Sequence, residues 1–276
     1  MMLAVVLCLV SWVAQDEHPA LTPHTALVQL DGEIAVDTEA SADRLISALR
    51  NAFEDPHAVA VVMRINSGGG SPVQAGIVND EIRRLKALHG KRFYVVVEEV
   101  CASGAYYIAA SADEIYADKA SVVGSIGVLM DGFGFDGAMK KLGVERRLMT
   151  AGSNKGMLDP YSPLNPRQKA HAQAMLDQIH QQFIDVVRQG RGDRLKETPE
   201  MFSGLYWNGE QALALGLVDG LGSLDYVTRE VVRNESVVDY TTRESFSERV
   251  VHRFGMSVGR AIARFSTEAA QAPRLR

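Results

Sequence analysis

Short apolar runs of strand length alternate with amphipathic helical segments along most of this chain, and this alternation strongly limits the folds open to it. The apolar run at residues 57–65, for example, is followed by a glycine-rich break and then by a helical pattern at 72–88. Strands that alternate with helices form a largely parallel sheet, because each helix returns the chain to the same end of the sheet. The sequence therefore predicts an α/β fold of repeated β-α units in one main domain.

The predicted elements follow from hydrophobic spacing and from turn residues. Predicted strands lie at residues 25–30, 57–65, 93–97, 122–130 and 144–149. Predicted helices lie at residues 41–53, 72–88, 104–110, 138–142, 210–215 and 224–232. A longer helix is expected to begin with Asn165 as its cap and Pro166 in its first turn, and to end at the basic, glycine-containing stretch 188–192.

The two ends of the chain differ from this body. Residues 1–14 are almost wholly apolar but are shorter than the roughly 20 residues that a membrane-spanning helix needs. We interpret them, within a segment 1–15, as the end of a membrane anchor that starts upstream of Met1; the alternative is a short tail buried in the fold or in an oligomer. The main domain is predicted at 24–235. Residues 236–276 are predicted to form a strand and an amphipathic helix, which either packs with a solvated basic face or contacts anionic lipid or a neighbouring subunit.

Composition excludes several classes of protein. A formal net charge of −5 gives no basic surface for nucleic acid. Two cysteines are too few for a disulfide scaffold, and no Cys/His spacing resembles a zinc site. We therefore expect no nucleic-acid partner and no zinc site, and nothing else in the sequence implies a metal or a cofactor.

The first chemical feature is the run of three glycines, Gly68 to Gly70, between a strand and a helix. Glycine backbones adopt positive φ and approach other groups closely, and the N–H groups at a helix start point outward. Such amides hold a phosphate, an oxyanion or a peptide backbone. The run is not a P-loop, because no Gly-Lys-Ser/Thr follows it. A glycine-rich turn without chemical function stays open at this point.

The second feature is Ser103, which lies at a predicted strand-to-helix junction between small residues. A helix start favours developing negative charge, so this hydroxyl is a candidate nucleophile. The plain alternative is a serine that caps the helix. The surrounding residues are not the Gly-x-Ser-x-Gly elbow of the α/β-hydrolases, because Cys101 and Ala105 occupy the glycine positions.

A nucleophilic serine needs a base, and the histidines give no local support for one. None lies between Ser103 and His171, and His171 and His180 are expected near the surface of the long helix. A distant Ser-His-Asp triad stays open, because triads assemble from separated positions. Among the lysines, Lys155 has no other charged residue between Arg147 and Asp159, which suits a base of lowered pKa. A surface lysine in a loop is the alternative.

Several separated motifs resemble the bacterial signal peptide peptidases of the SppA type, in their short form, over about residues 25–232. The motifs are Leu30-Asp31-Gly32-Glu33-Ile34, Arg64-Ile65-Asn66-Ser67-Gly68-Gly69-Gly70, Ala102-Ser103-Gly104-Ala105-Tyr106-Tyr107, Val123-Gly124-Ser125-Ile126-Gly127-Val128, and residues 152–163 around Lys155. The resemblance implies a crotonase/ClpP-like fold and a serine protease. It makes Ser103 the nucleophile, Lys155 the general base, Ser125 the serine that orients this lysine, and the Gly70 and Gly104 N–H groups the oxyanion hole.

The resemblance also implies partners and a location. It implies a homo-oligomer, an octamer in the short forms, whose sites are completed by a lysine of the neighbouring subunit. The substrates are hydrophobic peptides and cleaved signal peptides, and the enzyme is held at the bacterial inner membrane through its N-terminus, with the catalytic domain on the periplasmic side.

Two positions depart from the family pattern: Gly68 replaces a proline and Ala105 replaces a glycine. The first makes the turn less rigid, and the second is tolerated where φ is negative. Two other classes remain as alternatives, an acyl-CoA-binding crotonase-type enzyme and a non-catalytic membrane scaffold with the same fold.

Overall fold

The computed structural model describes residues 22–242. The apolar segment 1–14 and the predicted helix at 244–267 therefore lie outside the described residues. Eight strands form one sheet: β1 (His24–Asp31), β2 (Ala58–Ser67), β3 (Phe93–Ala102), β4 (Glu114–Ala117), β5 (Val122–Gly124), β6 (Tyr206–Asn208), β7 (Gly220–Leu221) and β8 (Val237–Asp239).

The helices lie between these strands in the chain. They are α1 (Ala42–Glu54), α2 (Pro72–His89), α3 (Gly104–Ala109), α4 (Asp136–Lys141), α5 (Pro166–Arg191), α6 (Gly209–Ala214) and α7 (Leu224–Tyr226), with a 3-10 turn at Gly192–Arg194 after α5 and a π-helical turn at Val227–Val232 after α7. None of these described helices is long and apolar enough to cross a bilayer.

The sheet is parallel except at one edge. Its strands run in the order β6-β5-β3-β2-β1-β8, and only the β5–β6 pair among the described pairs is antiparallel. The outer edge of β3 pairs with β4 near its start and with β5 near its end, and β7 pairs with β4. The carboxyl ends of β2 and β3 therefore lie side by side, which brings the turns that follow them together.

Both faces of the central strands are covered, which explains why β2 and β3 each begin with a continuous apolar run. Alternate residues such as Val28, Met63 and Val95 lie in register across the three strands and face the main core, to which α1 and α2 contribute. The residues between them, such as Val62 and Val96, pack on the other face with Val227. The α/β fold class with a largely parallel sheet is confirmed.

The predicted elements correspond well in the first half of the chain and less well after residue 122. The strand predicted at 144–149 is wrong: these residues form no strand and are exposed in the described chain. The strand predicted at 122–130 is shortened to β5, because the chain turns sharply at Ser125. Strand β4 is not among the predicted strands; its first residue, Glu114, pairs with Arg92 at 3.0 Å.

The long helix α5 has the predicted start and a buried anchor at its end. The Asn165 side chain accepts hydrogen bonds from the N–H groups of Arg167 and Gln168. At the other end Arg191, 1% exposed, donates to both carboxylate oxygens of Asp219 at 2.8 and 2.9 Å. Its Nε also donates to the Gly216 carbonyl at 2.9 Å. The end of α5 is thereby fastened to the segment beside β7.

The Arg191–Asp219 pair favours the ionised form of the Asp219 carboxyl group. Burial raises the pKa of Asp219, but the hydrogen bonds from Arg191 and the Ile115 N–H outweigh burial and leave the pKa below its ordinary value. A carboxyl whose folded pKa lies below the unfolded value of about 3.9 stabilises the fold above that pH. The stabilisation is lost as the pH falls through the folded pKa.

We expect Asp219→Asn to lower the free energy of unfolding by about 3–5 kcal/mol, because it leaves the buried Arg191 guanidinium without its counter-charge. Urea unfolding at neutral pH measures the change. The matched control is Arg229→Gln, which breaks an exposed pair with Glu230 and should leave the unfolding midpoint unchanged. Equal midpoints for the two variants would show that the Arg191–Asp219 pair does not anchor α5.

Candidate active site

Ser103 forms a strained corner between β3 and α3. Its backbone has φ 52° and ψ −126°, a conformation that costs a non-glycine residue roughly 1–3 kcal/mol. Two hydrogen bonds hold the corner: the Ser103 N–H donates to the Gly124 carbonyl at 2.8 Å, and its carbonyl accepts from Tyr107 N–H at 3.0 Å. The Ser103 side chain makes no capping hydrogen bond, so the helix-cap interpretation is wrong. The hydroxyl is left for other chemistry.

The glycine turn packs directly against this corner. Gly69 and Gly70 have φ of 97° and 147°, whereas Gly68 is not among the residues of positive φ. A Cβ at Gly69 would lie 2.6 Å from the Gly104 nitrogen and 2.8 Å from the Ser103 Cβ. A Cβ at Gly70 would overlap the Ile34 carbonyl oxygen. A side chain at Gly69 would push the turn away from Ser103, and a side chain at Gly70 would push it away from Ile34.

Ile34 fixes the turn from the other side. Its N–H donates to the Gly69 carbonyl at 2.9 Å, and its carbonyl accepts from the Ser71 N–H at 2.7 Å. These two bonds bridge Ile34 and Gly70 as in a parallel ladder and leave the Gly70 N–H out of the bridge. The Gly104 N–H, at the first position of α3, has no acceptor within its helix. The Gly70 nitrogen lies 3.4 Å from the Cβ position of Gly104, so both amides adjoin the serine corner.

These groups open into one cavity of about 520 Å³. Ser103, Ser125, Gly70 and Gly104 all line it. Apolar side chains form much of the remaining wall: Pro72, Tyr107, Val128, Leu129, Ile179 and Phe183. The structure therefore brings four of the five predicted site residues around a single, largely apolar cavity.

Ser125 forms a second strained turn beside the serine corner. It has φ 50°, is half-buried, and donates its N–H to the Leu205 carbonyl at 2.8 Å. Gly124 before it has φ 112°, and a Cβ there would lie 3.0 Å from the Trp207 ring. The carbonyl of the same Gly124 accepts from Ser103, so the two serine turns are held as one unit.

Lys155 is the site residue that the single chain does not bring to the cavity. It lies in an irregular turn, where its N–H donates to the Gly152 carbonyl at 3.1 Å. Lys155 is exposed and is not among the described residues that line the cavity. In one chain alone this amine is therefore open to solvent.

The stretch around Lys155 exposes many large apolar side chains. Leu129, Phe133, Leu142 and Met149 are 81%, 80%, 78% and 94% exposed. Exposed apolar side chains concentrated in one part of a chain mark a contact surface. We refer to residues 129–164 as the apolar segment.

Several groups of the site gave no signal in the sequence. The carbonyls of Ile34 and Gly124 are backbone groups, so no residue type announces them. The wall residues Ile179 and Phe183 show only helical spacing, which is also that of ordinary core residues. Among the described residues, no group of three or more His, Cys, Asp or Glu side chains is placed to hold a metal ion.

A strained serine at the end of a parallel strand, with two backbone amides nearby, is an arrangement typical of serine hydrolases. The family model described as peptidase family S49 matches residues 86–238 of this chain. The chain belongs to peptidase family S49, of the SppA type, and its mostly parallel α/β sheet is consistent with the family's crotonase/ClpP-like fold.

Of three relatives with curated names, two are named as a protease or a peptidase and one as an antiporter. A protein named Na(+)/H(+) antiporter NhaA from Brucella melitensis is 45% identical over 210 residues, which are 76% of this chain and 28% of that protein. Putative protease MJ0651 from Methanocaldococcus jannaschii is 32% identical over 206 residues, 72% of this chain and 65% of that protein. A putative signal peptide peptidase SppA from Enterococcus faecium is 28% identical over 199 residues, which are 72% of this chain and 58% of that protein. The chain spans less than two thirds of each of these three relatives.

The two departures from the family pattern have simple structural outcomes. A Cβ at Gly68 would meet nothing within 4 Å, so this glycine is not required by space. Ala105 lies within α3 and is not among the residues of positive φ, so its methyl group is accommodated.

We expect Gly70→Ala to lower peptide hydrolysis by about 100-fold or more, because the added methyl group clashes with the Ile34 carbonyl and shifts a candidate oxyanion donor from its position. Gly68→Ala is the matched control on the same turn and should keep the rate within about twofold, since its methyl group enters open space. Initial rates at saturating peptide measure both. Similar rates for the two variants would show that the position of the Gly70 amide does not matter for the reaction.

Proposed function

We propose that this chain is a membrane-associated serine endopeptidase that cleaves hydrophobic peptides, including remnant signal peptides, through a Ser103/Lys155 dyad. The observation that carries the proposal is the strained Ser103. Its side chain makes no helix-capping hydrogen bond, and the residue lines an apolar cavity together with Gly70 and Gly104. A helix-capping or purely structural serine needs neither the strain nor the cavity. Family membership supports the same reaction class.

The proposed reaction is acyl transfer. Neutral Lys155 accepts the Ser103 proton while Ser103 Oγ attacks the peptide carbonyl, and the Gly70 and Gly104 N–H groups hold the oxyanion. Preorganised donors of this kind each contribute roughly 3–4 kcal/mol to the transition state. Lys155 then gives the proton to the leaving amine. Water hydrolyses the acyl-enzyme and regenerates Ser103.

The apolar cavity supports a peptide substrate with large apolar side chains near the scissile bond. Tyr107, Ile179 and Phe183 form an apolar wall next to Ser103. Burial of an aliphatic or aromatic side chain there stabilises the complex by roughly 1.5–3 kcal/mol. A signal peptide remnant is rich in such side chains, and this substrate class fits the resemblance to SppA-type enzymes.

The exposed base supports a homo-oligomer, by resemblance an octamer, in which Lys155 of one subunit completes the site of its neighbour. Lys155 lies within the apolar segment, whose side chains would become buried in a subunit contact. Such a contact removes water from the amine, and desolvation of this kind lowers the pKa of a lysine. Ser125 at the cavity then orients the incoming amine by a hydrogen bond.

The apolar residues 1–14 support attachment to a membrane through the N-terminal part of the protein. We propose that the enzyme is held at the bacterial inner membrane with the catalytic domain on the periplasmic side. In that position it meets the signal peptides that remain in the bilayer after they have been cleaved from exported proteins.

We expect Ser103→Ala and Lys155→Ala each to lower peptide hydrolysis by about 1,000-fold or more, because each removes one half of the acyl-transfer chemistry. Hydrolysis of an apolar peptide and labelling of Ser103 by a fluorophosphonate are measured together. The control is Lys196→Ala, which removes an exposed lysine outside the apolar segment and should leave the rate unchanged. Near-normal cleavage by Lys155→Ala contradicts the dyad, and failure of the wild-type serine to be labelled favours the non-catalytic scaffold.

Mixing the two inactive variants tests whether the site is shared between subunits. If Lys155 acts on the neighbour's serine, refolding Ser103→Ala with Lys155→Ala in equal amounts should restore about a quarter of the wild-type activity, because that share of the contacts pairs an intact serine with an intact lysine. A dyad within one chain predicts no recovery. Size measurement by light scattering on the same samples establishes that mixed oligomers have formed.

A further inference from the structure

One side chain connects the two walls of the cavity. His180, on α5, places its Nε2 3.0 Å from the Ile126 carbonyl oxygen. A carbonyl oxygen only accepts, so Nε2 carries the hydrogen and donates it. The ring is half-buried, whereas His171 on the same helix is exposed. The sequence predicted both histidines near the surface, so the contact of His180 is a property of the tertiary structure.

The loop held by this bond forms one wall of the cavity. Ile126 itself is fully buried, and the next three residues, Gly127 to Leu129, line the cavity without belonging to a strand. Backbone hydrogen bonds flank the loop, from Ser125 N–H to the Leu205 carbonyl and from Phe135 N–H to the Pro160 carbonyl. The His180 bond acts between these two points, next to the residues that face the cavity.

The helix on the other side of the bond is a fixed support. Phe183, three residues after His180, is buried and contacts the Tyr107 ring at 5.1 Å between centroids. The end of the same helix is anchored by the Arg191–Asp219 pair. Ile179 and Phe183 line the cavity from this helix. The hydrogen bond from His180 to the Ile126 carbonyl therefore sets the distance between α5, which is fixed, and the irregular loop that forms the opposite wall of the cavity.

We propose that His180 is a positioning residue that determines which side chains the cavity accepts, by holding the loop 126–129 at a set distance from α5. This inference rests on the proposed peptidase function. His180 acts through the loop and does not touch the reacting groups. Ser125 is held separately by the Leu205 carbonyl, so loss of the His180 bond should weaken substrate binding rather than the chemical step.

The test compares His180→Leu, which keeps an apolar bulk but donates no hydrogen bond, with His180→Gln, whose amide nitrogen replaces Nε2 as the donor. Peptide hydrolysis is measured with leucine or phenylalanine before the scissile bond, and Ser103 reactivity is measured with a small methyl fluorophosphonate that leaves the cavity unfilled. We expect His180→Leu to raise KM about tenfold, with kcat and labelling within about twofold. His180→Gln should restore KM to within about twofold of the wild type. His171→Leu, on the exposed face of the same helix, is the control and should change nothing.

The outcomes separate the inference from the proposed function. An unchanged KM in His180→Leu, in an enzyme whose wild type is active, overturns the positioning role. Equal losses of hydrolysis and labelling, with no rescue by His180→Gln, also overturn it, because a merely structural role produces that result. His180→Ala serves as the second variant if leucine prevents folding, with the same rise in KM expected. A wild type that neither hydrolyses peptides nor reacts at Ser103 overturns the proposed function itself.

Discussion

The site depends on close contact between backbone segments that leave no room for a side chain at Gly69 or Gly70. The turn at Gly69 and Gly70 lies against Ile34 on one side and against the Ser103 corner on the other. The corner is strained, and such strain persists when the surrounding structure fixes it from several directions. Here the fixing groups are the Gly124 carbonyl, the start of α3 and the glycine turn, which come from three separate parts of the chain. Because Gly124 and the glycine turn are distant from Ser103 in sequence, the site exists only when the sheet is formed.

The fold places this constraint where parallel sheets place most of their chemistry. Strands β2 and β3 are neighbours and run in the same direction, so the glycine turn after one and Ser103 after the other meet at the same edge. The long helix α5 then closes the cavity with apolar side chains, and its buried Arg191–Asp219 anchor keeps that wall in place. Under the proposed function, the chain itself supplies the nucleophile, the amides and the apolar wall. The base lies outside the cavity in a single chain, which is why a second subunit enters the proposal.

The sequence was most informative where a pattern had a single physical meaning. The alternation of apolar runs and amphipathic helices predicted the parallel sheet, and Asn165 with Pro166 predicted the start of α5. The paired motifs at residues 68–70 and 102–104 predicted groups that the structure brings to one cavity. Prediction was poorest from residue 122 to 164. Val144 and Met149 have the composition of a strand, but a strand also needs a neighbour with which to form hydrogen bonds, and the described chain offers none there.

By itself, the sequence determined the class of fold, the positions of the glycine turn and of Ser103, and the presence of a lysine with uncharged neighbours, because each depends on local propensity or on residue chemistry. The tertiary structure decided the rest. It set the positive φ of Ser103 and Ser125, the approach of the Gly70 and Gly104 amides, the burial of Arg191 against Asp219, and the bond from His180 to the Ile126 carbonyl. Each of these features depends on contacts between groups that are far apart in the chain, and many of those contacts are made by backbone atoms that every residue possesses. Residue type alone does not predict such contacts, so they are seen only in the folded chain.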